Sequence, residues 1–323
     1  MQKGGAWRFG HFSSPNSMVV STISELTCLT EEFMQGLKNV EDLKVFGCKE
    51  LISLWQSDIG LCQWLTFLRN LVIEGCPKLV SLVAEEDQEQ LQWCGCELQC
   101  LEVRHCESLV MLPQCLHSLI SLRELVIESC PRLISFPEAG LPPMLRVIRI
   151  KNCSALGPLP SAVICNSTCL ENLYIQGCDS LMSFARSQLP STLKSLEIRS
   201  CKNLQYLLSD GESSSSSSLS MMSEQGINTA ILEHLHIYDC PSLLSLSPRG
   251  ELPAALIHLQ IKNCSELTSL AAGGKLPAKL NTFPLRTAQS WSQWERGLKM
   301  RSLETIYIFS CGSLNSFQRA YTT

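Results

Sequence analysis

The sequence predicts an α/β solenoid, with a curved parallel sheet on its concave face and irregular or short 3-10 segments on its convex face. Three observations predict it. The first is a sixteen-residue phrase, cleanest as LRELVIESCPRLISFP from Leu122 to Pro137, with further copies starting at Val40, Leu68, Leu98, Leu145, Leu170, Leu193, Leu232, Leu256 and Leu303. The second is a column of cysteines at one phase of that phrase: Cys48, Cys76, Cys106, Cys130, Cys153, Cys178, Cys201, Cys240, Cys264 and Cys311. The third is their spacing of 28, 30, 24, 23, 25, 23, 39, 24 and 47 residues, whose shortest values set a unit of about 23 or 24. A unit of that size buries its apolar side only by stacking on its neighbours.

Residues 1–17 do not fit the repeat and are expected to be a disordered N-terminal segment; the repeat domain is 18–323. Met18, Val20, Ile23, Leu26 and Leu29 carry the first phase, with Ile23 where cysteine would stand. Within a full coil, Leu125 and Ile127 lie two apart and face one way, as in a strand, while Val126 and Glu128 face the other. Leu122, Cys130, Leu133 and Phe136 join the inward set because they recur as apolar residues in the copies. A three-residue strand per coil, paired in parallel with its neighbours, gives one continuous sheet. An insertion, EEDQEQLQWCGCE after Ala84, lengthens one coil. The gap of 39 holds a second, near 209–229, whose run ESSSSSSLS is too polar to bury a core and is expected to be disordered. The gap of 47 spans two units; Leu276, Leu280, Phe283 and Leu285 mark a degenerate coil between them. Eleven or twelve coils result. Leu-Pro pairs on the convex side (Leu141-Pro142, Leu189-Pro190, Leu252-Pro253, Leu276-Pro277) disfavour long helices there.

The net charge of -4 over 323 residues provides no electrostatic footprint for nucleic acid or an anionic membrane. No apolar run reaches the roughly 20 residues that span a bilayer. The start, MQKGGAWRFGHFSSPNS, lacks the apolar core of a secretory signal. Eighteen cysteines would ordinarily suggest disulfides. Ten of them point the same way along one column, a poor arrangement for the roughly 90° torsion of a disulfide. They read as small buried apolar side chains in a reducing compartment, so a cytoplasmic location is expected.

The phrases LVIEGCPKLVSL from Leu71, LVIESCPRLISFPEAGLPP from Leu125 and IKNCSALGPLP from Ile150 resemble the leucine-rich repeat family, over about residues 18–320. The nearer resemblance is to the C-terminal repeats of plant intracellular nucleotide-binding leucine-rich-repeat immune receptors of the coiled-coil type. Cysteine stands where most such repeats have asparagine. The resemblance implies a non-catalytic module that recognises a pathogen effector or a guarded host protein, or restrains the receptor's own nucleotide-binding domain. The chain itself has no G-x-x-x-x-G-K-[ST]; the nearest string, Ala271 to Lys275, lacks the spaced first glycine and the hydroxyl after lysine. No cofactor is expected, and the chain is expected to be a receptor fragment or a solo repeat protein. A substrate adaptor of the kind that follows F-box motifs is the alternative, though the C-x-x-I-T-D signature of those repeats is replaced here by CPKL, CPRL, CDSL and CPSL.

Two outward rows on the sheet can be written from the phase. One runs Lys44, Val72, Glu102, Val126, Arg149, Tyr174, Glu197, His236, Gln260, Tyr307; the other runs Phe46, Glu74, Arg104, Glu128, Lys151, Gln176, Arg199, Tyr238, Lys262, Phe309. Alternating signs at Glu74, Arg104, Glu128 and Lys151 suit cross-strand pairing in a solvated ladder. Exposed aromatic and cationic residues are what interfaces favour. The expected protein-binding residues are therefore Phe46, Arg104, Arg149, Lys151, Tyr174, Arg199, His236, Tyr238, Lys262, Tyr307 and Phe309. His234, His236, His258 and Glu197 fall close enough to raise zinc, and Cys94, Cys96 and Cys100 form C-x-C-x-x-x-C; solvated or structural roles are the simpler readings of both. No triad or phosphate loop converges anywhere, so no catalytic residue is expected.

Overall fold

A computed structural model describes residues 10–14, 16–30, 33, 39–55, 66–83, 96–160, 168–185, 189–208, 231–247, 255–271 and 305–314. The Ser-rich insertion near 209–229, the degenerate coil at 276–285 and Cys94 lie outside the described residues. The chain divides into two units, Met1–Leu156 and Gly157–Thr323. Each is a parallel-sheet solenoid.

The first unit contains β1 (Gly10–Ser14), β2 (Ser17–Ser21), β3 (Asp42–Phe46), β4 (Ser53–Trp55), β5 (Asn70–Glu74), β6 (Ser81–Val83), β7 (Cys100–Arg104), β8 (Glu124–Glu128) and β9 (Val147–Lys151). Its main sheet runs β1-β2-β3-β5-β7-β8-β9. From β2 onward every pair is parallel and in register, so Leu43, Leu71, Leu101, Leu125 and Ile148 line up. The second unit contains β10 (Asn172–Gln176), β11 (Ser183–Ala185), β12 (Ser195–Arg199), β13 (Tyr206–Leu208), β14 (His234–Tyr238), β15 (Ser245–Ser247), β16 (His258–Lys262), β17 (Ser269–Ala271) and β18 (Thr305–Phe309). Its main sheet runs β10-β12-β14-β16-β18, again parallel and in register.

Each main strand from β3 to β16 buries its second and fourth residues, the alternation of a half-buried strand. The six inward positions expected from the phrase, Leu122, Leu125, Ile127, Cys130, Leu133 and Phe136, are all buried. Coils dictate register because a one-residue slip would turn this whole set to solvent. Residues 1–17 carry no repeat phase and are expected to be disordered. Gly10–Ser14 nonetheless forms β1, which pairs antiparallel with β2 and so stands outside the parallel repeat.

The far side of the coil carries short extended ladders, β4-β6 in the first unit and β11-β13-β15-β17 in the second. Gln114–Ser118, which follows Pro113, is a 3-10 turn. Extended and 3-10 segments are what the Leu-Pro pairs predict. The serines that open several of these strands, Ser81, Ser183 and Ser245, are buried polar residues in an otherwise apolar layer.

A further regularity lies at the strand ends. The residue that follows each main strand from β2 onward adopts left-handed φ: Thr22, Gly47, Gly75, His105, Ser129, Asn152, Gly177, Ser200, Asp239, Asn263 and Ser310. Where another described coil follows in the same unit, its N–H reaches the carbonyl of that coil's last strand residue, as Gly75 N does to Arg104 O (3.0 Å) and Ser200 N to Tyr238 O (2.8 Å). This turn swings the chain inward and places cysteine next, or Ile23 in the first coil. A Cβ added to Gly75 would meet only the Gly47 backbone, at 3.7 and 3.8 Å, which is ordinary contact. The cost of Gly75→Ala is therefore backbone strain alone, about 1 kcal/mol, and Ser200→Gly is expected to shift the urea midpoint the opposite way.

All ten column thiols make one recurring contact. Each Sγ donates to the carbonyl two residues earlier, from Cys106 to Arg104 O at 3.4 Å to Cys76 to Glu74 O at 3.7 Å. Burial pushes the Cys153 and Cys240 thiols up to about 12, so they stay protonated and able to donate. The column therefore does in a weaker way what a side-chain amide would do at the same place: it caps a strand-end carbonyl. Cys130→Ser keeps the donor and is expected to cost no more than about 1 kcal/mol by urea titration. Titration of the unfolded, unreduced protein with a thiol reagent is expected to find nearly all eighteen thiols.

Candidate protein-binding face

Strand positions one, three and five point away from the core, so each main strand delivers three side chains to the sheet face. All eleven residues expected to bind protein occupy the third or fifth of these positions. Their surroundings differ sharply between the two units.

In the first unit the face neutralises itself. Arg104 lies 2.8 Å from Glu102 on its own strand and 4.0 Å from Glu128 on the next. Arg149 donates to Glu124 across the β8–β9 pair, a diagonal contact that a row-by-row reading does not find. Val126 is corrected from outward to buried, at 6% exposure, since it sits between Glu102 and Arg149 in the row. Lys151 is half-buried at the end of β9. Phe46 projects from β3 at 47% exposure, beside Lys44 on the same strand.

The second unit carries the aromatic residues. Tyr307 and Phe309 on β18 are 42% and 57% exposed. Tyr174 and Tyr238 are half-buried, so of the expected exposed aromatics these two are partly packed. The Arg199 guanidinium lies 4.7 Å from the centre of the Tyr238 ring, and Lys262 Nζ lies 5.9 Å from that of Phe309. Tyr238 donates its hydroxyl to Gln260 Oε1. Arg199 Nε donates to Glu197, whose other oxygen is 4.0 Å from His236 Nδ1. The His234 and His258 rings stack at 4.8 Å and 14°, and His236 meets His234 edge-on at 6.4 Å. No group of three His, Cys, Asp or Glu side chains among the described residues is arranged to hold a metal. Of the three cysteines in C-x-C-x-x-x-C, Cys96 is buried and Cys100 opens β7, with its thiol 3.8 Å from Glu102.

Burial lowers the pKa of His236, against the opposing pull of Glu197. The folded protein thus holds that proton less tightly than the unfolded chain, whose imidazole titrates near pH 6.5. The resulting stability is complete above that value and is lost as pH falls through the folded pKa. Urea midpoints measured at about pH 5 and about pH 7 are expected to differ less in His236→Asn than in the parent.

No helix among the described residues is long and apolar enough to cross a membrane, which says nothing of crossing by strands. No protein-family model and no curated protein matches the chain. Among solved structures, the chain is similar to the leucine-rich repeat domain of the type III effector XopL, at 19% identity over 66% of this chain and 72% of that one, with a TM-score of 0.42. It is also similar to a chain of the Toll–Spätzle complex of Drosophila, at 15% identity over 75% of this chain and 36% of that one, with a TM-score of 0.43. A leucine-rich repeat protein from Bacteroides ovatus aligns at 14% identity over 81% and 86%, with a TM-score of 0.20. The fold assignment stands on strand register and burial.

Proposed function

We propose that this chain is a non-catalytic protein-recognition module, working through the outward side chains of its main-strand sheet. The observation that supports the reading most is the exposure of Tyr307 and Phe309 on one strand, with Lys262 held beside them. Large aromatic side chains kept on a solvent face have an unfavourable hydration that a partner relieves, and they anchor interfaces more often than other residue types. On the resemblance to plant intracellular immune receptors, the partner is a pathogen effector, a host protein under guard, or the receptor's own nucleotide-binding domain. In that last case the module biases a nucleotide switch it does not contain. The column of free thiols suits a reducing, cytoplasmic setting.

The test is site-specific photo-crosslinking. A photoreactive amino acid at Tyr307 is expected to label a discrete partner protein in cells, while the same group at Ser265, on the turn side of the coil, labels none. Equal labelling from both positions would overturn the reading.

A further inference from the structure

The twelve outward positions of β12, β14, β16 and β18 hold one carboxylate (Glu197), two permanent cations (Arg199, Lys262), three imidazoles (His234, His236, His258) and three phenyl or phenol rings (Tyr238, Tyr307, Phe309). With the imidazoles neutral, two cations against one carboxylate leave these positions a formal charge of about +1, on a chain whose net charge is -4. The fifth-position row alternates cation, ring, cation, ring: Arg199, Tyr238, Lys262, Phe309. Each cation leans over the ring on the following strand. Both lean the same way, so their spacing stays that of two strands, about 9.6 Å. Arg199 commits its Nε to Glu197 and keeps its terminal nitrogens for an incoming anion. The first unit presents no such row, since its fifth positions from β5 to β9 alternate carboxylate and cation: Glu74, Arg104, Glu128, Lys151.

We propose that the Arg199–Tyr238–Lys262–Phe309 row binds an acidic, extended segment of a partner protein whose carboxylates recur at every third residue. The proposal rests on the reading of this face as a protein-binding surface and adds the chemistry of what it takes. An extended chain of the polyproline type rises about 3.1 Å per residue with three residues per turn. Its every-third side chains therefore fall on one side about 9.3 Å apart, close to the two-strand spacing of the cations. Carboxylates so placed meet Arg199 and Lys262, while the residues between them lie on Tyr238 and Phe309. Rigid, extended segments of this kind bind with little ordering cost, and aromatic rows are their usual seat. A helix would match the same spacing only at residues about seven apart, about 10.5 Å, and would leave Tyr238 under a single turn.

The test is fluorescence anisotropy of a labelled peptide with the repeat Glu-Pro-Pro, against a control with Gln-Pro-Pro. The expected result is saturable binding of the first, at least about tenfold weaker binding of the second, and weakening as salt rises from roughly 0.05 to roughly 0.5 M. Arg199→Gln with Lys262→Gln is expected to lose about tenfold, and Arg69→Gln with Lys78→Gln, which flank β5 in the first unit and pair with Glu41 and Glu50, to lose nothing. Arg199→Glu with Lys262→Glu guards against a merely misfolded variant, since it is expected to take up a Lys-Pro-Pro peptide that the parent ignores. Equal binding of the glutamine peptide, or unchanged binding in the Arg199/Lys262 variants, would overturn the proposal. Partner labelling from Tyr307 together with peptide failure would reject the acidic segment alone; failure of both would reject the binding face as well.

Discussion

Leu125→Ala is expected to destabilise the first unit by about 2–5 kcal/mol. Leu125 is fully buried, and its strand is paired in register on both sides, with Leu101 on β7 and Ile148 on β9. The missing methyl groups would leave a void in a layer closed above and below by other layers. Relaxation is limited, because either neighbouring coil could move in only by breaking its own ladder. The effect is also local. In a stack, each coil owes its stability to its own packing and to the two interfaces it shares. Hydrogen exchange is therefore expected to quicken first in β7, β8 and β9. Glu128→Ala, outward on the same strand, is expected to stay within about 0.5 kcal/mol. Equal urea midpoints for the two variants would contradict the assignment of inward and outward positions.

Phe184→Ala is expected to cost about 3–5 kcal/mol. Phe184 lies on β11, in the column that Leu207, Leu246 and Leu270 continue along the second unit, and all four are buried. A benzyl group is the largest loss available in that column. Phe184→Leu puts in the side chain that the neighbouring coils already use and is expected to cost less than about 1.5 kcal/mol. A small effect of the alanine variant would mean that the short far-side ladder contributes little packing, contrary to its burial.

Much of this was legible in the sequence, for a physical reason. Repetition converts a weak local signal into a strong one: a single L-x-x-L-x-I could be many things, but copies in phase force one inward set. The main strands, the layer made by Leu122 through Phe136, the cysteine column and the extended far side follow from it. Val126 was misread because alternation alone sends it outward; its burial comes from the length of Glu102 and Arg149 in the rows beside it. The diagonal Arg149–Glu124 contact escaped for the same reason, since a long side chain does not respect rows. β1 escaped because an antiparallel hairpin strand carries none of the repeat's phase. The left-handed turn residues did leave a trace. The residue before each column cysteine is Gly, His, Ser, Asn or Asp and never an aliphatic side chain, as a position with positive φ requires. The clustering on β12 to β18 was legible as a list of residues. Which cation leans over which ring was not, because that depends on rotamers and not on order along the chain.

The account depends most on consecutive coils meeting side chain to side chain across parallel, in-register strands. Methyl NOE measurements on Ile/Leu/Val-labelled protein test this directly. Contacts are predicted from Leu125 to Ile148 and from Ile127 to Ile150 in the first unit, and from Leu196 to Leu235 to Leu259 in the second. Absence of these contacts, or their replacement by contacts displaced by one residue, would contradict it, because an odd displacement would bury the face proposed here to meet its partner.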